Sequence, residues 1–230
     1  MIKNIFLDLD DTILDFQKGE RRAITHALRD FGIEPSVELI DRYVAINLDC
    51  WRALERGEMT KDQVLVVRFE RLFSELMLDL SAEKVQRTYE EYLAGEHDFI
   101  EGAEELLQEL KKNIKYRLFM VTNGIPSVQW PRIRDAGIGE YFDAIFISEE
   151  IGNAKPDVRF FNECFQRIGD LRHEECIIVG DSLTSDVKGG LNAGILTCHF
   201  NKRNTKYGDI RPHYEIKSLS ELIPLLDGIE

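Results

Sequence analysis

Apolar residues alternate with or flank carboxylates near the start of the chain, in Ile5-Phe6-Leu7-Asp8-Leu9-Asp10-Asp11-Thr12. The apolar part predicts a short buried strand, and the acids fall where that strand should end. The pattern then changes period. Ile24, Ala27, Leu28 and Phe31 follow a helical spacing, as do Ile40, Tyr43, Val44 and Trp51. Leu65, Phe69, Leu72, Phe73 and Leu76 form a third stripe, and Val85, Tyr89, Tyr92 and Leu93 a fourth. Gly32, Pro35, Gly57 and Gly95 fall near the breaks, and Ser81 suits an N-cap. Val64-Leu65-Val66-Val67 is compatible with a strand, but its continuation is helical. The stripes predict a small helical bundle packed on its own core.

Near residue 100 the pattern changes again. Ala103, Leu106, Leu107 and Leu110 predict an amphipathic helix, with Glu101, Glu104 and Glu105 near its positive end and Lys111 and Lys112 near its negative end. Strands are predicted at 116–122, 143–147, 176–180 and 195–200, alternating with helices near 126–136, 157–168 and 185–193. Residues 213–216 predict an edge strand and 219–226 a last helix interrupted by Pro224, while Pro131 should start or kink its own helix. Alternation of this kind marks the α/β class: a doubly wound, parallel, Rossmann-like sheet in three α/β/α layers. The helical block then becomes an inserted all-helical cap. Residues 1–14 and 100–230 form the core domain and 15–99 the cap, with hinges near 14–20 and 95–100.

Composition narrows the function classes. The 230 residues are 43% hydrophobic and 31% charged, which fits a soluble globular protein. No apolar run approaches the ~20 residues of a membrane span, and no signal peptide is visible, so a cytoplasmic protein is expected. Cys50, Cys164, Cys176 and Cys198 form no C-x-x-C pair. Cys164 and Cys176 are possible partners, but free buried thiols in a reducing compartment are expected. Net charge is −13, from 42 acidic and 29 basic side chains. That field disfavours nucleic acid polymers. It also repels small phosphate esters, so a site for one must supply local positive charge.

Four stretches fall where strands of such a sheet end, the place where open parallel sheets bind ligands. Asp8 and Asp10 are two apart on an extended segment and point the same way. Carboxylates that close repel each other, and a cation with oxygen ligands such as Mg²⁺ relieves them. Thr122-Asn123-Gly124 offers a hydroxyl, backbone N–H groups and a permissive glycine for an anion, though alone it is a turn. Pro156 should extend Lys155 and occupy the first position of the next helix, fixing Lys155 at a helix N-terminus where it can bind phosphate as a point charge. Lysine is otherwise ordinary on a surface. In Gly180-Asp181-Ser182-Leu183-Thr184-Ser185-Asp186, Asp181 suits a metal ligand. Asp186 suits either a supporting carboxylate or a plain first-turn acid of a helix.

Together D-L-D-D-T at 8–12, Thr122-Asn123, Lys155-Pro156 and Gly180-Asp181 with Asp186 resemble, in order and over nearly the whole chain, the motifs of the haloacid dehalogenase-like hydrolase superfamily. Within it, T-N-G, I-S-E-E-I-G-x-A-K-P and V-G-D-S-x-x-S-D-x-x-G-G-x-N-A-G are similar to the house-cleaning pyrimidine 5′-nucleotidases of bacteria. The resemblance implies an Mg²⁺-dependent phosphomonoesterase. Asp8 would be the nucleophile and Asp10 the general acid and base. Thr122, the Asn123 backbone and Lys155 would hold the phosphoryl oxygens. Asp8, the Asp10 carbonyl and Asp181 would hold Mg²⁺, with Asp186 in support. The implied substrate is a small phosphorylated metabolite, a nucleoside 5′-monophosphate such as UMP, dUMP or dTMP. Phosphoglycolate or sugar-phosphate hydrolysis is the nearest rival.

Further rivals are weaker. A haloacid dehalogenase has no need of the acid at Asp10, and a phosphosugar mutase must shield its aspartyl-phosphate from water. A phospho-acceptor domain needs no cap, and a catalytically dead binding protein would not keep every motif residue. Tyr43, Trp51, Phe69, Phe73, Tyr89 and Tyr92 of the cap offer a stacking face for a base, but their helical spacing assigns most of them to the cap core.

Overall fold

A computed structural model describes residues 1–229. β1 (Asn4–Leu7) is followed by four helices: α1 (Phe16–Asp30), α2 (Val37–Glu55), α3 (Lys61–Leu76) and α4 (Ala82–Ala94). Then α5 (Ala103–Lys112), β2 (Arg117–Thr122), α6 (Pro126–Asp135), β3 (Ala144–Ile147), α7 (Ser148–Ile151), α8 (Val158–Ile168), β4 (Cys176–Gly180), α9 (Lys188–Asn192), β5 (Leu196–Phe200), β6 (Tyr214–Ile216) and α10 (Leu222–Asp227) complete the chain. The six strands form one parallel sheet in the order β3-β2-β1-β4-β5-β6. From β1 the chain winds outward to β2 and β3, then returns to place β4 on the other side of β1. The crevice between the ends of β1 and β4 is thus the topological switch point, where such sheets bind ligands.

The side-chain period of two splits each central strand between the sheet's faces. Ile5, Leu7, Leu118, Met120, Ile177 and Val179 join α5 and α10 in one apolar cluster. Phe6, Phe119, Val121 and Ile178 join Phe160, Phe161 and Cys164 of α8 in another. Burial on both faces explains why these strands read as continuous apolar runs, and it makes the three α/β/α layers. All four cysteines are buried and free.

α1 to α4 form the inserted all-helical cap, with its own core. Ala23, Ile24 and Leu28, Tyr43, Phe69, Leu72, Phe73, Val85 and Tyr89 cluster there, and Ile125 and Val128 from the start of α6 join them. Tyr43, Phe69 and Tyr89 pack on one another, with ring centroids 5.3–5.7 Å apart. Most of the aromatic residues considered for base stacking therefore pack the cap. Tyr92 instead stacks on His26, and Trp51 is half-buried.

Three local expectations need correction. α1 starts at Phe16, because Asp15 caps it by accepting from Lys18 N, so the first connection is shorter than 14–20. The two connections also pair with each other: Asp15 N donates to Asp98 O at 2.8 Å and Ile100 N to Ile13 O at 2.9 Å. Pro126, not Pro131, takes the first position of α6, and Pro131 lies inside the helix. The helix expected at 185–193 begins as a π-helical turn over Leu183–Val187. Asp186 N and Val187 N both reach Ser182 O there, at 3.0 and 3.1 Å.

Candidate active site

β1 ends one residue before Asp8, whose backbone N–H donates to Val179 O of β4 at 3.0 Å. That bond holds Asp8 at the switch point between the two strands. Its side chain meets Lys155, which is only 2% exposed. Lys155 Nζ donates to Asp8 Oδ1 at 2.7 Å, to Asp186 Oδ1 at 2.7 Å and to Val121 O at 2.8 Å. A lysine ammonium has three donors, and all three are used.

The position of Lys155 does not come from a helix N-terminus. Pro156 does not take the first position of α8: Asp157 is the N-cap, accepting from Arg159 N at 2.9 Å, Val158 begins the helix, and the Lys155–Pro156 peptide is cis. Asn123 holds the lysine instead. Its Oδ1 accepts from Lys155 N at 2.9 Å, and its Nδ2 donates to Lys155 O at 2.8 Å and to Ser185 Oγ at 3.2 Å. One amide side chain after β2 thereby ties together the loops after β3 and β4.

Asp186 reaches back under β4. Its Oδ2 accepts from Ser182 N at 3.1 Å, and a Cβ on Gly180 would lie 2.2 Å from that same oxygen. Gly180 therefore lets the carboxylate pass against the strand end. Asp8, Asp181 and Asp186 each offer a carboxylate oxygen, all within 4.8 Å of one another. Asp10 is not in that set. Its carboxylate accepts from Gln129 Nε2 at 2.7 Å and from Arg132 Nη1. Thr122 Oγ1 also accepts from Gln129 Nε2, at 2.9 Å, and from Gly124 N at 3.2 Å.

The electrostatics suit a cation. Burial, then the charge of Asp186, push the Asp8 carboxyl up to about 8, outweighing the opposing pull of Lys155. Burial, then Asp11 and Asp8, hold Asp181 well above the usual carboxylate range. For Lys155, burial alone would lower the pKa, but the charges of Asp186 and Asp8 overcome it and raise it. Oxygen donors that resist ionising together, gathered within ligand reach, are the donor chemistry of a hard divalent cation, which reverses these shifts when bound.

Several residues escaped the sequence reading. Two arginines join Lys155 as positive charges at the acidic residues. Arg132 pairs with Asp10, and Arg203 donates to Asp11 Oδ2 at 2.8 Å and lies 4.0 Å from Asp181 Oδ2. Gln129 and Arg132 are three apart on α6 and share one helical face, a spacing visible in the sequence that does not say which way the face turns. Lys61 of the cap donates to Asn123 O at 2.9 Å, Gly124 O at 3.1 Å and Ser148 Oγ at 2.8 Å, joining cap to core. A cavity of about 850 Å³ lies between cap and core, with Asp8, Asp10, Thr122 and Lys155 on one wall and Trp51 and Arg68 on the other.

The order of these strand-end residues, the switch-point crevice and the helical insertion define a hydrolase family. A family model described as haloacid dehalogenase-like hydrolase matches residues 2–194. The chain is 38% identical over 226 residues to the HAD-hydrolase YfnB of Bacillus subtilis, covering 98% of this chain and 95% of that one. A crystal structure of YfnB bound to magnesium, described as revealing interdomain movement, superposes with a TM-score of 0.94 at 37% identity, covering 98% and 99% of the two chains. The pyrimidine 5′-nucleotidase PynA of Streptococcus pneumoniae is 35% identical, covering 98% of this chain and 95% of that one. The pyrimidine 5′-nucleotidase YjjG of Escherichia coli is 30% identical, covering 96% of each chain. This chain belongs to the haloacid dehalogenase-like hydrolases and is an enzyme of that family. Among the described residues, no helix is long and apolar enough to cross a membrane.

Proposed function

We propose that the enzyme is an Mg²⁺-dependent phosphomonoesterase that works through an aspartyl-phosphate on Asp8, with pyrimidine nucleoside 5′-monophosphates such as UMP, dUMP and dTMP as substrates. The observation that carries this reading is the Lys155 ammonium bound to both Asp8 and Asp186 in a crevice that also holds Asp181. An acidic protein gathers positive charge at one carboxylate there, as attack on a phosphate requires. The names of PynA and YjjG support the nucleotide class. Residues 15–99 act as the cap domain and residues 1–14 and 100–230 as the catalytic core.

In the first step, Asp8 attacks phosphorus. The new Asp8 O–P bond forms as the ester O–P bond breaks, and Asp10 gives its proton to the leaving alkoxide. In the second step, Asp10 takes a proton from water, which attacks phosphorus and releases inorganic phosphate and Asp8. Splitting the displacement in two is the gain of a covalent nucleophile. Gln129 and Arg132 aim Asp10 at the leaving oxygen, and Lys155, Thr122 and the Asn123 backbone receive phosphoryl oxygens. Mg²⁺ fits the oxygens of Asp8, Asp181 and the Asp10 carbonyl, with Asp186 in support, and supplies charge neutralisation when bound. Cap and core together limit bulk water around the phosphoryl group.

The test is a comparison of kcat/KM for UMP, dTMP, AMP, phosphoglycolate and glucose 6-phosphate at one Mg²⁺ concentration. The pyrimidine nucleotides should lead. A tenfold advantage for either of the last two, about 1.4 kcal/mol of transition-state discrimination, would transfer the enzyme to small phosphate esters.

A further inference from the structure

The cap wall of the cavity carries a buried polar group that the phosphoryl chemistry does not use. Arg68 of α3 is 2% exposed. Its Nε donates to Leu65 O at 3.2 Å and its Nη1 to Asn47 Oδ1 at 2.9 Å. Among the described residues its Nη2 donates to no group, and no carboxylate lies within ion-pair distance of it. A desolvated guanidinium without a carboxylate is costly. Asn47 Nδ2 in turn donates to Glu20 Oε1 at 2.5 Å, so the amide is oriented from both sides. Tyr89 has the Arg68 guanidinium 4.8 Å from its ring centroid, and its buried hydroxyl has no hydrogen-bond partner. Glu20, Asn47, Arg68 and Tyr89 all line the cavity that holds Asp8.

We propose that Arg68 and Tyr89, with Asn47 and Glu20 beside them, recognise the leaving group by donating to ring carbonyl oxygens, and so select nucleotides of pyrimidine-2,4-dione bases. This inference rests on the nucleotide phosphatase reading and assigns its specificity to named residues. The cavity offers a free donor at Arg68 Nη2, beside it the Tyr89 hydroxyl, whose one polar neighbour is the Tyr43 hydroxyl, and an acceptor at the Glu20 carboxyl. A pyrimidine-2,4-dione presents the complement, two carbonyl oxygens flanking an N–H. Adenine has no carbonyl to take the donors. The apolar walls from Val44, Leu48 and Trp51 suit a flat ring. A site built to hydrogen-bond a group rejects analogues that lack it, since its buried donors are then left unpaired.

The experiment measures kcat/KM of the wild type, Arg68→Lys and Tyr89→Phe with UMP, AMP and p-nitrophenyl phosphate, alongside melting temperatures. Arg68→Lys keeps the positive charge and Tyr89→Phe keeps the ring, so the cap core is preserved. The UMP to p-nitrophenyl phosphate ratio should fall by about tenfold or more in Arg68→Lys and about threefold or more in Tyr89→Phe, and the preference for UMP over AMP should shrink with it. Unchanged ratios, or equal losses on both substrates, would overturn the assignment while leaving the nucleotide reading intact. A wild type that hydrolyses p-nitrophenyl phosphate but not UMP would overturn both.

Discussion

Lys155 Nζ donates to Asp8 Oδ1 at 2.7 Å, across 147 positions of sequence. The same ammonium binds Asp186 and Val121 O, so a single positive charge sits against two buried acids. Removing it leaves both without compensation. Lys155→Met should lower kcat/KM by about 10²–10³-fold and lower the melting temperature. Lys155→Arg should not restore activity, because a planar guanidinium does not reproduce three donors converging from one nitrogen. Steady-state kinetics and thermal melts check this, and near-wild-type turnover in either variant would contradict it.

Arg132 and Gln129 grip the carboxylate of Asp10 without touching Asp8. Arg132→Met should therefore reduce kcat by up to about 10²-fold through misalignment of Asp10, with KM changed far less. A rise in KM at constant kcat would place Arg132 in substrate binding instead.

Gly180 has no room for a side chain, since its Cβ would meet the Asp186 carboxylate at 2.2 Å. Gly180→Ala should push Asp186 off Lys155 and Ser182 N and cost about 1–3 kcal/mol of stability. Activity should drop with it. A crystal structure of the variant with Asp186 unmoved would refute this.

The sheet and the acid cluster were legible in the sequence for a common reason. β1, β2 and β4 are buried on both faces and so read as apolar runs, and the candidate site residues fall at their ends: Asp8 and Asp181 follow β1 and β4, and Thr122 closes β2. Lys155 was legible as a lysine of the site, but its anchor was not. The clasp by Asn123 spans 32 positions and depends on how two loops meet. The grip of Arg132 on Asp10 spans 122 positions, and no local pattern reports which face of α6 turns toward β1. The pairing of the two cap connections was hidden for the same reason. The start of α1 was missed for a local one: Asp15 is an ordinary N-cap residue just before Phe16.

Protonation and metal binding should be linked. The Asp8 carboxyl is raised from 3.8 to about 8 in the fold, and Asp181 is raised as well. A carboxyl raised by folding stabilises the protein fully below its unfolded pKa, and that contribution is lost as pH rises through the folded value. Without metal, the melting temperature should therefore decline between about pH 4 and pH 8 on account of these acids. Mg²⁺ binds the ionised form and should raise the melting temperature more at pH 8 than at pH 5. Chelation should remove activity and excess Mg²⁺ restore it. An equal Mg²⁺ effect at both pH values, or activity that survives thorough chelation, would contradict the assigned cation site.

The covalent role of Asp8 can be measured directly. Wild-type enzyme mixed with UMP and Mg²⁺, quenched with acid within one turnover, digested and analysed by mass spectrometry should carry a phosphoryl group on the peptide containing Asp8. Asp8→Asn should carry none and should not turn over, while melting as a folded protein. Full activity in purified Asp8→Asn, or single-turnover release of phosphate with no phosphoryl group at Asp8, would contradict the aspartyl-phosphate route.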